Sequence, residues 1–233
     1  MQLAAIIAAG GEGIRLGGNV RKQYLNLGSK PMLAHSVGIF AGHEAVSQII
    51  VAIPEGDFDG ANGILSAYFP LDLFHLVAGG ATRQQSIKNA LGAIKDQPDL
   101  VAVHDAARPL ASAKLLNRLT EAALEDGAAV PVIPLADTAK QVDEKGMVLS
   151  TPPRESLRLV QTPQVFRFSL ILEAYSNAER IGLEATDDSA LVELLGKPVR
   201  TVEGELSNLK VTSALDLALA TILLDGRKGE GLK

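Results

Sequence analysis

Five glycines and three cations crowd the stretch AAGGEGIRLGGNVRKQYL, Ala8 to Leu25, one step after an apolar run. At Gly10, Gly11 and Gly13 the backbone N–H groups can approach phosphate oxygens closely. Arg15 and Lys22 bring charge that offsets a triphosphate and the further charge that develops when a phosphorus is attacked. Spacing excludes two named phosphate loops. No G-x-x-x-x-G-K-[ST] occurs, and the dinucleotide pattern G-x-G-x-x-G fails because Leu16 stands where its third glycine is required. A glycine-rich turn with solvated charges also fits these residues.

Two further segments bear on the choice. VHDAARP places Asp105 directly after an apolar run, with Arg108 close behind. A carboxylate at the C-terminal end of a parallel strand sits where open α/β sheets bind ligands, and beside a phosphate loop it suits Mg²⁺. Asp is equally at home as a helix N-cap or in a turn. GGATRQQS, Gly79 to Ser86, is a second glycine turn opening a helix, with Arg83 in its first turn. A cation there opposes the helix dipole, which points to service at a ligand.

Positioning these groups requires a sheet. The apolar runs LAAIIA, QIIVAI, LVAVH, AAVPVI and PVRTVE alternate with helical patterns. Several are continuous, as in parallel strands covered on both faces. Ile87, Ala90, Leu91 and Ile94 follow a helical stripe, as do Leu115, Leu116, Leu119 and Ala122. Ser213 with Asp216 makes a capping box. The alternation predicts an α/β sandwich around a mainly parallel sheet, with all 233 residues in a single domain and a frayed tail at 225–233. Residues 137–155 break the rhythm. They read as a hairpin with too little apolar surface to pack on the core, so a second subunit is its expected support, a mobile surface loop being the alternative.

Composition narrows the class. A net charge of −5 argues against a nucleic-acid footprint, and the chain has no cysteine for disulfides or thiolate metal sites. No run approaches the roughly 18 apolar residues of a membrane span, and no signal-peptide pattern opens the sequence. A cytoplasmic location is the expectation.

Taken in order, AGGEGIRLG…RKQYL, GGATRQQS, VHDAARP, DTAK, PRESLRLVQTPQ, TDDSAL and EGELSNLKVT closely resemble the 2-C-methyl-D-erythritol 4-phosphate cytidylyltransferase family of non-mevalonate isoprenoid synthesis. The resemblance runs from Ala4 to about Leu224. VHDAARP with QTPQ is its most specific part, although ribitol-5-phosphate cytidylyltransferases carry close versions. It implies a Rossmann-like fold of the nucleotide-diphospho-sugar transferase type, Mg²⁺ or another divalent cation, CTP and a polyol phosphate as substrates, and a homodimer that exchanges its β-arms. It further implies that Arg15, Lys22, Arg154 and Lys210 are catalytic. Ala8, Ala9, Gly10, Gly11, Gly13, Gly80, Arg83 and Ser86 would bind the nucleotide. Asp105, Arg108, Thr138, Arg154, Thr186 and Lys210 would bind the acceptor, with Asp105 also near the metal. Two positions depart from the pattern. Ala81 stands where some relatives have Asp, and Arg21 where Pro is frequent.

The implied chemistry needs no general base, since a phosphate monoester with a second pKa of about 6 is already largely dianionic at neutral pH. Of the four histidines only His104 lies near the proposed site, and its expected role is structural or supporting. A sugar-1-phosphate or molybdopterin nucleotidyltransferase and a non-catalytic nucleotide sensor are the remaining alternatives. Both proposed phosphate cations and the proposed metal carboxylate are present, which disfavours the sensor.

Overall fold

A computed structural model describes residues 1–11 and 21–230. In chain order its elements are β1 (Leu3–Ala8), a 3₁₀ turn (Lys22–Tyr24), β2 (Asn26–Leu27), β3 (Lys30–Pro31), α1 (Met32–Ala41), β4 (Val46–Ile53), α2 (Phe58–Ser66), β5 (Phe74–Ala78), α3 (Arg83–Gly92), β6 (Leu100–Asp105), α4 (Ala113–Asp126) and β7 (Ala128–Pro134). There follow β8 (Gln141–Val142), β9 (Val148–Ser150), a 3₁₀ turn (Arg154–Ser156), β10 (Arg158–Val160), β11 (Gln164–Arg167), α5 (Phe168–Ile181), α6 (Asp188–Glu193), β12 (Arg200–Glu203) and α7 (Ala214–Glu230).

The main sheet runs β10-β7-β11-β6-β1-β4-β5, with β12 also paired to β7. Only β10 and β11 run against the other strands. The expected mainly parallel sheet is therefore present, with two antiparallel insertions on one side. Because β1 is covered on both faces, its whole run is apolar and alternate residues serve opposite layers. Leu3, Ala5 and Ile7 pack with residues of α1, α2 and α4, while Ala4 and Ile6 pack with residues of α3, α5 and α6. All five residues are fully buried.

Chain order leaves β1 toward β4 on one side and places β6 on the other, so the strand order reverses beside β1. Ala8, the last residue of β1, is in register with Asp105 of β6 and Ala52 of β4. A crevice at the carboxyl ends of the strands at such a switch point is where this class of sheet binds ligands.

Ser213 Oγ accepts from Asp216 N at 3.2 Å, and Asp216 Oδ2 accepts from Ser213 N at 2.8 Å, so the reciprocal cap forms as the sequence indicated. The helix it opens continues through Glu230, so the described part of the expected tail is helical. Apolar Leu223 and Leu224 pack beside buried Ala220, and Arg227 Nη2 donates to Leu110 O at 2.6 Å, which ties the last turns down. Residues 137–155 carry the β8–β9 hairpin, whose Val142, Met147, Val148 and Leu149 are all exposed.

Candidate active site

The strand ends open into a cleft of about 670 Å³. Its walls include Ala8, Ala9, Gly10 and Gly11 after β1, Pro54 and Glu55 after β4, and Gly79 to Arg83 after β5. Arg21, Lys22, Gln23, Ser86, Asp105, Ala106, Ala107 and Lys210 complete it.

The second glycine turn is built by its own side chains. Thr82 caps α3 by accepting from Gln85 N at 3.1 Å. Ser86 Oγ donates to Thr82 O at 2.9 Å and accepts from Gly80 N at 3.0 Å. A Cβ at residue 80 would lie 2.1 Å from Gln85 Cγ, so the tight approach of loop to helix requires glycine there. At Gly10 a Cβ would come within 3.1 Å of Ser86 Oγ, so the two glycine turns meet around this hydroxyl.

A charged chain forms the floor. Arg83 Nε is 3.1 Å from Asp105 Oδ1, and Lys210 Nζ is 2.8 Å from Asp105 Oδ2. Arg83 Nη2 is 2.8 Å from Asp188 Oδ2, and Tyr175 donates its hydroxyl to Asp188 Oδ1 at 2.5 Å. Burial alone would raise the Asp105 pKa. Arg83 and then Lys210 outweigh it and hold the carboxyl well below the ordinary range. Burial also works against the Arg83 charge, but Asp188 and Asp105 raise its pKa above the usual value. Burial first, and Asp188 next, push the Tyr175 phenol up, so it stays a donor.

His104 orders the turn that carries Asp105. A carbonyl only accepts, so the 3.0 Å contact to Arg108 O makes Nε2 the donor and Nδ1 the acceptor from Thr162 Oγ1 at 3.1 Å. Thr162 Oγ1 in turn accepts from Asp105 N at 3.0 Å. Fully buried, the imidazole has its pKa lowered to about 4 by desolvation and is neutral. Lys210 is delivered from the other side, because Val211 N donates to Ala107 O at 2.8 Å and Asn208 Nδ2 donates to Thr162 O at 2.8 Å.

Residues 3–226 match the model of the 2-C-methyl-D-erythritol 4-phosphate cytidylyltransferase family. A curated member from Alkaliphilus metalliredigens is 38% identical over 97% of this chain and 95% of its own length. Another, from Frankia casuarinae, is 44% identical over 96% of this chain and 81% of its own. The chain belongs to this family.

Solved structures of cytidylyltransferases agree in fold. The crystal structure of the Thermus thermophilus enzyme has a TM-score of 0.77 and 39% identity, covering 96% of this chain and 98% of that one. A 4-diphosphocytidyl-2C-methyl-D-erythritol synthase from Anaerococcus prevotii reaches 0.85 at 31% identity, covering 96% of each.

Of the residues that the sequence singled out for a cytidylyltransferase, the cleft gathers Ala8, Ala9, Gly10, Gly11, Lys22, Gly80, Arg83, Ser86, Asp105 and Lys210. Gly13 and Arg15 lie outside the described residues. Arg83, expected at the nucleotide, lines the cleft with its guanidinium paired to Asp105 and Asp188. Arg108 is turned to the backbone, its Nη1 donating to Asn208 O at 2.8 Å and its Nη2 to Val160 O at 3.4 Å. Thr138, Arg154 and Thr186 are exposed and are not among the residues lining the cleft.

Sequence reasoning missed Asp188 and Tyr175. Both left a faint signal. TDDSAL offers two carboxylates where one suffices to cap α6, and Asp187 is the one that does so, accepting from Ala190 N. Tyr175 places a hydroxyl on the stripe Ile171, Ala174, Ala178, and a buried hydroxyl requires a partner.

Proposed function

We propose that this cleft transfers CMP from CTP to 2-C-methyl-D-erythritol 4-phosphate, giving 4-diphosphocytidyl-2-C-methyl-D-erythritol and pyrophosphate for non-mevalonate isoprenoid synthesis. The observation that carries the assignment of roles is the meeting of two glycine turns and the Lys210–Asp105–Arg83 chain at the switch point of the sheet.

In this reading a phosphate oxygen of the acceptor attacks the α-phosphorus in line, and the bond from that phosphorus to the bridging oxygen breaks as pyrophosphate leaves. One anion approaches another, so the protein contributes alignment and charge rather than proton transfer. Gly10 and Gly11, with Gly79 and Gly80, shape the nucleotide side. Lys22 and Arg15 offset charge on the triphosphate, and Lys210 and Asp105 serve the acceptor. Neutral His104, with both nitrogens engaged, holds the Asp105 turn and takes no proton.

A divalent cation such as Mg²⁺ fits as a group carried in with the triphosphate. Among the described residues no cluster of three or more His, Cys, Asp or Glu could hold one alone. Each Asp105 oxygen already accepts from one cation and keeps a second lone-pair direction, so Asp105 would be the protein's carboxylate, with phosphate and water oxygens filling the shell. When bound, the ion supplies charge neutralisation at the phosphates.

Thr138 and Arg154 belong to this function if the β-arm reaches the cleft of a second subunit in a homodimer. Its exposed apolar side chains support that placement. We infer a cytoplasmic location, with which CTP as donor is in keeping. Among the described residues no helix is long and apolar enough to cross a membrane.

A pyrophosphate-release assay crossing CTP, GTP and UTP with methylerythritol phosphate and ribitol 5-phosphate tests the whole reading. Turnover should require CTP and methylerythritol phosphate. Preferred turnover of ribitol 5-phosphate would overturn the acceptor, and no turnover with any pair would overturn the reaction.

A further inference from the structure

Lys22 sits in a 3₁₀ turn of three residues, Lys22–Tyr24, held internally by Tyr24 N to Arg21 O at 2.9 Å and Leu25 N to Lys22 O at 3.1 Å. A single turn of this kind has little stability of its own. Its neighbours tie it by three contacts to two anchors, one after β4 and one after β1. Arg21 Nε lies 3.2 Å from Asp57 Oδ2, and Tyr24 donates its hydroxyl to the same oxygen at 3.1 Å. Gln23, 2% exposed, donates from Nε2 to Ala9 O at 2.9 Å.

Asp57 is itself fixed. Its N–H donates to Pro54 O at 3.1 Å and its carbonyl accepts from Ala61 N at 2.9 Å as α2 begins. Pro54 and Glu55, just before it, form the cleft wall at the end of β4. One carboxylate oxygen in the loop after β4 therefore grips the residue before Lys22 and a residue after it, while both Arg21 and Lys22 line the cleft.

We propose that Asp57, through Arg21 and Tyr24, is the positioning residue that holds Lys22 against the nucleotide phosphates. This rests on the role given to Lys22 above. A lysine loses most of its electrostatic advantage when its backbone wanders, because an offset of about 1 Å from productive geometry can cost about 100-fold in rate. Arg21 and Asp57 are 33% and 26% exposed, so their ion pair adds little to overall stability and its value lies in placement. Arg21 has φ −64 and ψ 140, a conformation that proline adopts without strain, so the same backbone can be held by ring geometry instead of by Asp57.

The test uses the full chain. Asp57→Ala should lower kcat about 10-fold, leave both KM values within about twofold, and keep one CTP bound per chain in calorimetry. Adding Arg21→Pro to Asp57→Ala should recover most of that loss when both variants are assayed at a temperature where circular dichroism shows each fully folded, so that the gain is not one of stability. Should Asp57→Ala fail to fold, Tyr24→Phe removes one of the two ties and should lower kcat about threefold. Wild-type kcat in Asp57→Ala, or in Tyr24→Phe where that stands in, together with a loss in Lys22→Ala, would overturn the clamp. Wild-type kcat in Lys22→Ala would instead overturn the role of Lys22 itself.

Discussion

On the floor of the cleft Asp105 is 7% exposed and each of its oxygens holds a cation, whereas on the β-arm Val148 and Leu149 are 58% and 62% exposed. Arg154 at the base of that arm donates to Ala136 O at 2.9 Å and lies outside the cleft. One region has its polar groups paired and its geometry set before any ligand arrives. The other is held by a short ladder and presents apolar surface to solvent. The contrast teaches that the described floor of the cleft is set within one chain, whereas the arm's apolar side chains find no cover within it.

The largest expected effect lies on the floor. Lys210→Ala removes one of the two cations on Asp105 and should lower kcat about 100- to 1,000-fold, with a much smaller change in KM for CTP. Steady-state kinetics with near wild-type kcat would show that the preset floor plays no part in the chemistry.

The arm is tested by mixing. Arg154→Ala and Lys22→Ala subunits, each inactive alone, should in purified heterodimers regain about half the activity of two intact sites, because one of the two composite sites is then complete. No recovery in demonstrated heterodimers would confine the arm to its own chain and erase the contrast.

Behind the floor, Asp188→Asn leaves Arg83 with one carboxylate and should reduce kcat about 10-fold. Stability in urea should fall by about 1–3 kcal/mol, a figure already reduced for the partial exposure of Arg83. An unchanged kcat alongside lower stability would make the buttress purely architectural.

The smallest effect is read by pH. His104 is neutral in the fold with a pKa of about 4, against about 6.5 when unfolded, so the unfolded chain binds the extra proton between those values. Stability should be complete above pH about 6.5 and decline as pH falls toward 4. His104→Asn should flatten that slope in urea midpoints measured across the range. An unaltered slope would remove His104 as its source.

Much of the layering was legible because it is local. Ile49 to Ile53 and Leu100 to His104 are continuous apolar runs, which parallel strands buried on both faces demand. Gln164–Arg167, the antiparallel β11, was not, since its four residues mix polar and apolar without a clear period. The Ser213–Asp216 cap shows in sequence because capping acts over three residues.

By itself, then, the order of residues determined the strand–helix alternation and the two glycine-rich segments, both consequences of short-range geometry and periodic burial, and its likeness to a family pointed to the charges near them. Only the tertiary structure decided what those charges do. Arg83 meets Asp188 across 105 positions, Arg108 turns to the Asn208 carbonyl 100 positions away, and Arg21 finds Asp57 after a whole strand and helix have intervened. Such pairings depend on which loops the sheet brings to one edge. No local spacing encodes that.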